Sequence, residues 1–280
     1  MSKKILKALM QLFAIISPFE IIVDREQQDQ ERAERRRAVK IFLERLLNQE
    51  QVDSFLAVFD GYYEKYIQEL QVRLDQAGEM TQEQVEKLVR RIYARRAVKV
   101  LTICDDINME LDQGQKIIFL FQLLEFIKGE SGKPGKQELA YVDTVADTFL
   151  LPKNDYQLAR SFVMSDQKLR DASGFLSVNN QKEQEPGKRT KHLYRSHLKG
   201  EIRVIFIKST GQYFIKYIGL EEVYMNGQLL ISQQSYPFTS GSSIRSEKME
   251  PLYYSDVVSA FVKDEVSSKI VFEARSIIYK

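Results

Sequence analysis

The chain has 280 residues, 44% of them hydrophobic and 29% charged, with a formal net charge of +2. That length and composition predict about two globular domains in a soluble, cytoplasmic chain, each with apolar material for its own core. The near-neutral balance excludes a general electrostatic reason for binding nucleic acid. Basic runs such as Arg35-Arg36-Arg37 and Arg90-Arg91 sit among Glu and Gln on helical patterns and read as solvated faces. The single cysteine, Cys104, excludes an internal disulfide framework and fits a reducing compartment.

The N-terminal run from Ile5 to Ile16 is interrupted by Lys7 and Gln11, and no small-residue cleavage site follows it. Ile5, Leu6, Leu9, Leu12, Phe13 and Ile16 recur at helical spacing, so the run reads as an amphipathic helix over 2–17, stopped by Pro18. No stretch approaches the roughly 18 apolar residues of a membrane span. A polar helix follows over 24–47, with Ala33, the Arg37 stem, Val39, Phe42, Leu43 and Leu46 as its apolar stripe. The next covers 51–76, with Val52, Phe55, Leu56, Phe59, Tyr63, Tyr66, Ile67 and Leu70 on one face and Gly78 as its stop. Thr81 and Gln84 form a capping box that opens a helix over 82–107. Further helices are predicted over 112–128, 137–149 and 155–164, with a turn at 129–135.

An internal repeat is visible in these helices. Leu6 to Ser17, Val39 to Leu47 and Gln51 to Phe59 form one pass; Ile118 to Gly129, Val142 to Leu150 and Asp155 to Val163 form a second. Chance similarity between amphipathic helices would give the same pattern.

After about Leu169 the character changes. Residues 171–193 are rich in Ser, Asn, Gln, Lys and Glu, with Gly174 and Pro186-Gly187, and read as a linker. From Gly200 the pattern has period two: Ile202, Val204, Phe206, a turn at Ser209-Thr210-Gly211, then Tyr213, Ile215, Tyr217. Asn226-Gly227, between Val223-Tyr224-Met225 and Leu229-Leu230-Ile231, is a hairpin turn signal. Val257, Ser259 and Phe261 read as a further strand. The fold class expected is multidomain α+β: an all-α domain over 1–170, the linker, a small β-sandwich over 194–264, and a separate strand pattern over 265–280.

Catalytic constellations are not visible. His192 and His197 lack zinc-ligand spacing, and neither a nucleophile elbow nor a metalloprotease helix motif occurs. Lys133-Pro134-Gly135-Lys136 lacks the ending of a phosphate loop, so the chain itself is not expected to be an enzyme. Glu125 with Glu138, or Asp143 with Asp147, are candidate oxygen ligands for a divalent cation, with capping or surface carboxylates as the alternative.

Two family resemblances add to this reading. Leu123-Leu124-Glu125-Phe126-Ile127, the turn through Gly135, then Glu138-Leu139-Ala140-Tyr141-Val142 and Ala146-Asp147 resemble the TerB-like family associated with tellurite resistance. The resemblance implies a helical fold and, at Glu125, Glu130 and Glu138, an acidic metal site; the family's Asp-Gly pair is missing from the turn. Tyr224-Met225-Asn226-Gly227-Gln228 and Phe238-Thr239-Ser240-Gly241-Ser242-Ser243-Ile244 resemble the closing pattern of an FHA domain. That implies phosphopeptide recognition, for which Arg195, Ser196 and Asn226 are the candidates, although the family's Gly-Arg pair is absent.

Residues 269–280, Lys-Ile-Val-Phe-Glu-Ala-Arg-Ser-Ile-Ile-Tyr-Lys, resemble the opening strand of an ABC-type ATPase domain, with Tyr279 where an adenine-stacking aromatic stands. The order of the three resembles the N-terminal region of a bacterial ABC transporter ATPase subunit. It implies a regulatory or scaffolding region with protein partners, including a downstream ATPase domain that would bind ATP and magnesium. The larger protein would lie at the cytoplasmic face of the inner membrane. The alternatives are that residues 270–279 are the last strand of the β-domain, and that the chain is a stand-alone stress-response module for phosphopeptide or divalent metal.

Overall fold

The computed structural model describes residues 2–17, 25–44, 46–77, 81–129, 132, 134–164, 169, 173–182 and 191–262. The chain divides into two units, Met1–Asp166 and Gln167–Lys280, the first helical and the second mainly β. The expected fold class, helical region first and β region second, is the observed one. Among the described residues no helix is long and apolar enough to cross a membrane.

The helical unit contains α1 (Lys3–Ile16), α2 (Arg25–Glu44), α3 (Gln49–Ala77), α4 (Gln82–Asn108), α5 (Gln113–Lys128), α6 (Lys136–Thr148) and α7 (Lys153–Val163). The most apolar, α1, is also the most enclosed: Ile5, Leu6, Leu9, Met10 and the run Leu12 to Ile16 are all buried. It packs against α3, α4, α5 and α6. The Phe13 ring lies 5.5 Å from Phe42 of α2 and 5.7 and 4.9 Å from Phe119 and Phe126 of α5. Three helices therefore meet at one aromatic side chain, the kind of site where truncation leaves a cavity. Caps mark the starts. Ser2 Oγ accepts from the Ile5 amide at 3.2 Å, Asp112 Oδ1 from the Gln115 amide at 2.8 Å, and Gln84 Oε1 from the Thr81 amide at 2.9 Å.

The two passes share a spacing of buried positions once two of the expected registers are moved by one residue, a spacing that amphipathic helices packed in one core also give. Leu6, Leu9, Met10, Leu12, Phe13 and Ile16 of α1 match Ile117, Leu120, Phe121, Leu123, Leu124 and Ile127 of α5, all buried, and Gln11 matches Gln122. In α2, Arg35, Val39, Phe42 and Leu43 match Glu138, Val142, Val145 and Ala146 of α6. Val52, Leu56 and Phe59 of α3 match Asp155, Ala159 and Phe162 of α7. The packing follows this only in part: α1 lies on α3 as α5 lies on α7, but α2 packs on α3 without an equally close α6–α7 contact, and α5 packs on α6 without an equally close α1–α2 contact. The connector α4 packs on α1 and α6.

The β unit has a five-stranded sheet ordered β2-β1-β3-β4-β7 and a four-stranded sheet ordered β6-β5-β8-β9. The strands are β1 (Phe175–Asn179), β2 (Lys191–Tyr194), β3 (Glu201–Ile207), β4 (Gln212–Ile218), β5 (Tyr224–Met225), β6 (Gln228–Leu229), β7 (Ser235–Phe238), β8 (Ser243–Arg245) and β9 (Leu252–Tyr253). Among the described residues β1 and β2 pair in parallel and every other pair is antiparallel. Val178, Ile202, Val204, Tyr213, Ile215, Tyr217 and Phe238 share one core with Ile244 and Leu252 of the second sheet, as the period-two pattern predicts. The other face of the larger sheet is also buried. Phe175, Ile205, Phe214 and Pro237 form one cross-strand row there, and Ser177, Arg203, Lys216 and Ser235 the next.

Two expectations need correction. The span 171–193, expected as a linker, contains β1, a central strand of the larger sheet, and the start of β2. The apolar run Phe175-Leu176-Ser177-Val178 is short, and the polar residues around it dominate the composition. Val257 and Phe261, expected on a strand, lie on α8 (Tyr254–Val262), where a separation of four residues keeps both buried and leaves Ser259 exposed. The expected hairpin forms at Asn226-Gly227, with φ of 53° and 83°, the pair of positive values that a type I′ turn requires. The stops at Pro18 and Gly78 and the span 265–280 lie outside the described residues.

Several acidic protons are held by burial. Desolvation, with Asp105 beside it, pushes the Cys104 thiol up to about 12, and desolvation pushes Tyr63 up to about 12. Tyr141 is raised chiefly by burial, and Tyr156 by burial and then by its hydrogen bond to Asp143. The folded chain thus retains protons that the unfolded chain releases above the ordinary thiol and phenol pKa values of 9.0 and 10.0. Stability is expected to be unaffected by these groups below that range and to fall as pH rises through it, measurable as a declining denaturation midpoint. Cys104 is expected to resist iodoacetamide at neutral pH in the native chain and to react on unfolding.

Candidate functional site

Two buried charged groups of the helical unit, Glu138 and Arg35, meet at the start of α6. Glu138 is the third residue of α6, and its Oε2 accepts from the Gly135 amide at 2.6 Å, capping the helix. Its Oε1 lies 2.9 Å from Arg35 Nη2 of α2, and the two side chains are only 5% and 10% exposed. Arg35 Nη1 donates to the Phe126 carbonyl near the end of α5, and the guanidinium lies 5.1 Å from the Phe126 ring centroid. Glu31, one turn earlier, is 3.9 Å from Arg35 Nη2. One planar cation thus ties α2 to the carbonyl of one helix and the N-terminal cap of another.

The burial of Arg35 corrects the reading of Arg35-Arg36-Arg37 as a solvated face. Arg36 and Arg37 are exposed, but Arg35 falls on the stripe of Val39, Phe42 and Leu43. That spacing, four residues before Val39, was the available signal. The stripe does not include Arg37, and Leu46 is 48% exposed. Arg96 of α4 is a second buried arginine: Nη2 donates to the Tyr66 carbonyl at 3.0 Å, with the Tyr66 ring centroid at 5.6 Å.

The candidate metal ligands have other partners. Glu138 has an arginine where a cation would sit, and Glu125 Oε2 is 3.4 Å from Lys128 Nζ. Asp143 accepts from the Tyr156 hydroxyl and from Arg160 at 3.4 Å, and Asp147 is exposed. Glu130 lies outside the described residues. Among the described residues, no three His, Cys, Asp or Glu side chains come together as a ligand group.

In the β unit, Arg195 follows β2. Its amide donates to the Asn179 carbonyl at 2.8 Å, and Nη2 donates to Asp256 Oδ2 at 2.6 Å. The same Asp256 oxygen accepts from the Tyr253 amide at 3.1 Å, at the start of α8. Asn226 is also engaged. Its Nδ2 donates to Ser242 Oγ at 3.2 Å, its Oδ1 accepts from the Ser243 amide at 3.0 Å, and its own amide donates to the Ser243 carbonyl at 3.1 Å. The Tyr254 amide donates to the Ser242 carbonyl at 3.1 Å, so one run of hydrogen bonds connects Asn226, residues 242–243, the start of α8 and Arg195. Ser196 is half-buried in the turn after Arg195. The polar groups that would read a phosphate are those that fasten α8 and the β5–β6 hairpin. His192 Nε2 lies 3.0 Å from Asn179 Oδ1, and His197 sits in a turn with φ of 65°. Tyr279, expected to stack on adenine, lies outside the described residues.

A shallow polar groove between α2 and α3 is lined by Asp29, Arg32, Glu64, Ile67, Gln68 and Gln71, and Arg32 crosses it to Glu64 at 2.7 Å. Comparison with family models, with curated proteins and with solved structures finds no match to this chain.

Removing one partner of a buried ion pair leaves the other charged and desolvated. Arg35→Ala is therefore expected to cost about 3–5 kcal/mol in denaturant unfolding, more than Arg35→Met combined with Glu138→Leu. The pair at Arg195, less enclosed with side chains 15% and 32% exposed, is worth less: Asp256→Ala should cost about 1–2 kcal/mol, part of it from the lost start of α8.

Proposed function

We propose that the chain is a non-catalytic scaffolding or regulatory region, acting through protein–protein contact within a bacterial ABC transporter ATPase subunit at the cytoplasmic face of the inner membrane. The observation that supports this reading over the stand-alone binding module is the engagement of the candidate ligand groups. Glu138, Arg195 and Asn226 hold helices and a hairpin in place, so their chemistry is spent on internal contacts. The transporter context rests on the resemblances of the helical unit to TerB-like proteins, of the β unit to FHA domains, and of residues 269–280 to an ATPase opening strand. ATP and magnesium would belong to the downstream domain, with Tyr279 stacking on the adenine.

Immunoblotting of fractionated source cells with an antibody against this chain tests the reading. A membrane-bound band far heavier than 32.7 kDa is expected. A soluble band at that mass would overturn it and favour the stand-alone module. Phosphothreonine-peptide binding lost in Arg195→Ala would then identify that module's ligand.

A further inference from the structure

Of the large exposed apolar residues of the helical unit, Leu46 and Val72 lie apart, and those on α4 fall on a line. Val98, Leu101 and Met109 are 63%, 43% and 74% exposed, and all lie on α4 or its C-terminal cap. At helical spacing they share a face with Arg91, Ala94, Arg95, Thr102 and Asp105, each of them exposed. The 27-residue helix packs on α1 and α6 and carries this stripe on its outer side. Leu150, 80% exposed, extends it near Met109, because Asn108 Nδ2 donates to the Thr148 carbonyl at 2.7 Å.

The stripe is ordered. Arg91 and Arg95 come first, Val98 and Leu101 lie in the middle, and Asp105 comes last. Among the described residues, neither arginine nor Asp105 has an ion-pair partner within the chain. Such a stripe is complementary to itself run backwards. A uniformly acidic partner would match the arginines but be repelled at Asp105, and an anionic lipid surface has the same fault.

We propose that α4 is the interface of a homodimer, two copies packing antiparallel along this stripe. Val98 and Leu101 lie at the centre, and Arg95 of each copy lies beside Asp105 of the other. A two-fold interface makes every such pair twice. An interface one helix wide is small, so the dimer is weak and salt-sensitive.

Sedimentation velocity of the full chain over about 1–200 µM tests this, the range where small interfaces associate. Wild type is expected to pass from monomer to dimer, with the midpoint rising as salt is added. Val98→Asp with Leu101→Asp should remain monomeric, and Val98→Ser should weaken the dimer if the double variant unfolds. Arg95→Asp and Asp105→Arg should each raise the midpoint by about tenfold, and their combination should restore it. The substituted side chains face solvent, so thermal unfolding of the monomers should be unchanged. A wild type that stays monomeric, or a dimer indifferent to both the apolar and the charge-exchange variants, would overturn the proposal.

Discussion

The ion pair of Arg35 and Glu138 is the constraint on which the helical unit depends. Two charges with 10% and 5% exposure have lost most of their hydration, and that loss is offset only if every remaining polar valence is met. Here the backbone supplies one hydrogen bond to each partner. Glu138 takes the Gly135 amide, a donor that the helix start leaves without an intrahelical partner, and Arg35 takes the Phe126 carbonyl near the end of α5. The pair therefore satisfies the ends of two helices while joining them to a third. A leucine pair could fill the same volume, but it could not cap α6 or select the angle at which α2 crosses α5.

The same pair has a place in the repeat. Arg35 and Glu138 are matched positions of the two passes, yet they touch each other. Identical residues there would bring two like charges together in a desolvated place. The difference between arginine and glutamate makes the close approach possible, and it makes the two halves distinguishable. Phe13 of α1 meets rings of both α2 and α5, two of the three helices that the ion pair joins.

What was legible in the sequence follows from how local each determinant is. Helix positions were readable because their apolar spacing lies within the helix itself, and the Asn226-Gly227 hairpin because its turn conformation is carried by two adjacent residues. Strand β1 was hidden, because four residues between polar stretches carry little local signal and its neighbours are β2, β3 and the core. Helix α8 was misread because Val257 and Phe261 satisfy a period of two as well as a separation of four. Arg35 was the harder case. A positive charge between two other arginines reads as surface until the carbonyl and carboxylate that receive it, distant in sequence, are brought to it by folding.

The candidate sites were legible as polar residues at joints, and folding decides what such residues do. A carboxylate near a helix start, an arginine before a strand and an asparagine before a glycine are found both in ligand sites and in structural fastenings, because both uses need directed polar groups at places where regular backbone bonding stops. The difference lies in who fills the valences. In this chain Glu138 is engaged by Gly135 and Arg35, Arg195 by Asp256, and Asn226 by residues 242–243. The α4 stripe is the opposite case: its arginines, its aspartate and its aliphatic residues face solvent, and among the described residues its charges have no ion-pair partner. Unfilled valences and uncovered apolar area on one helix face mark a surface for recognition, whereas the filled ones mark the architecture that holds that face in place.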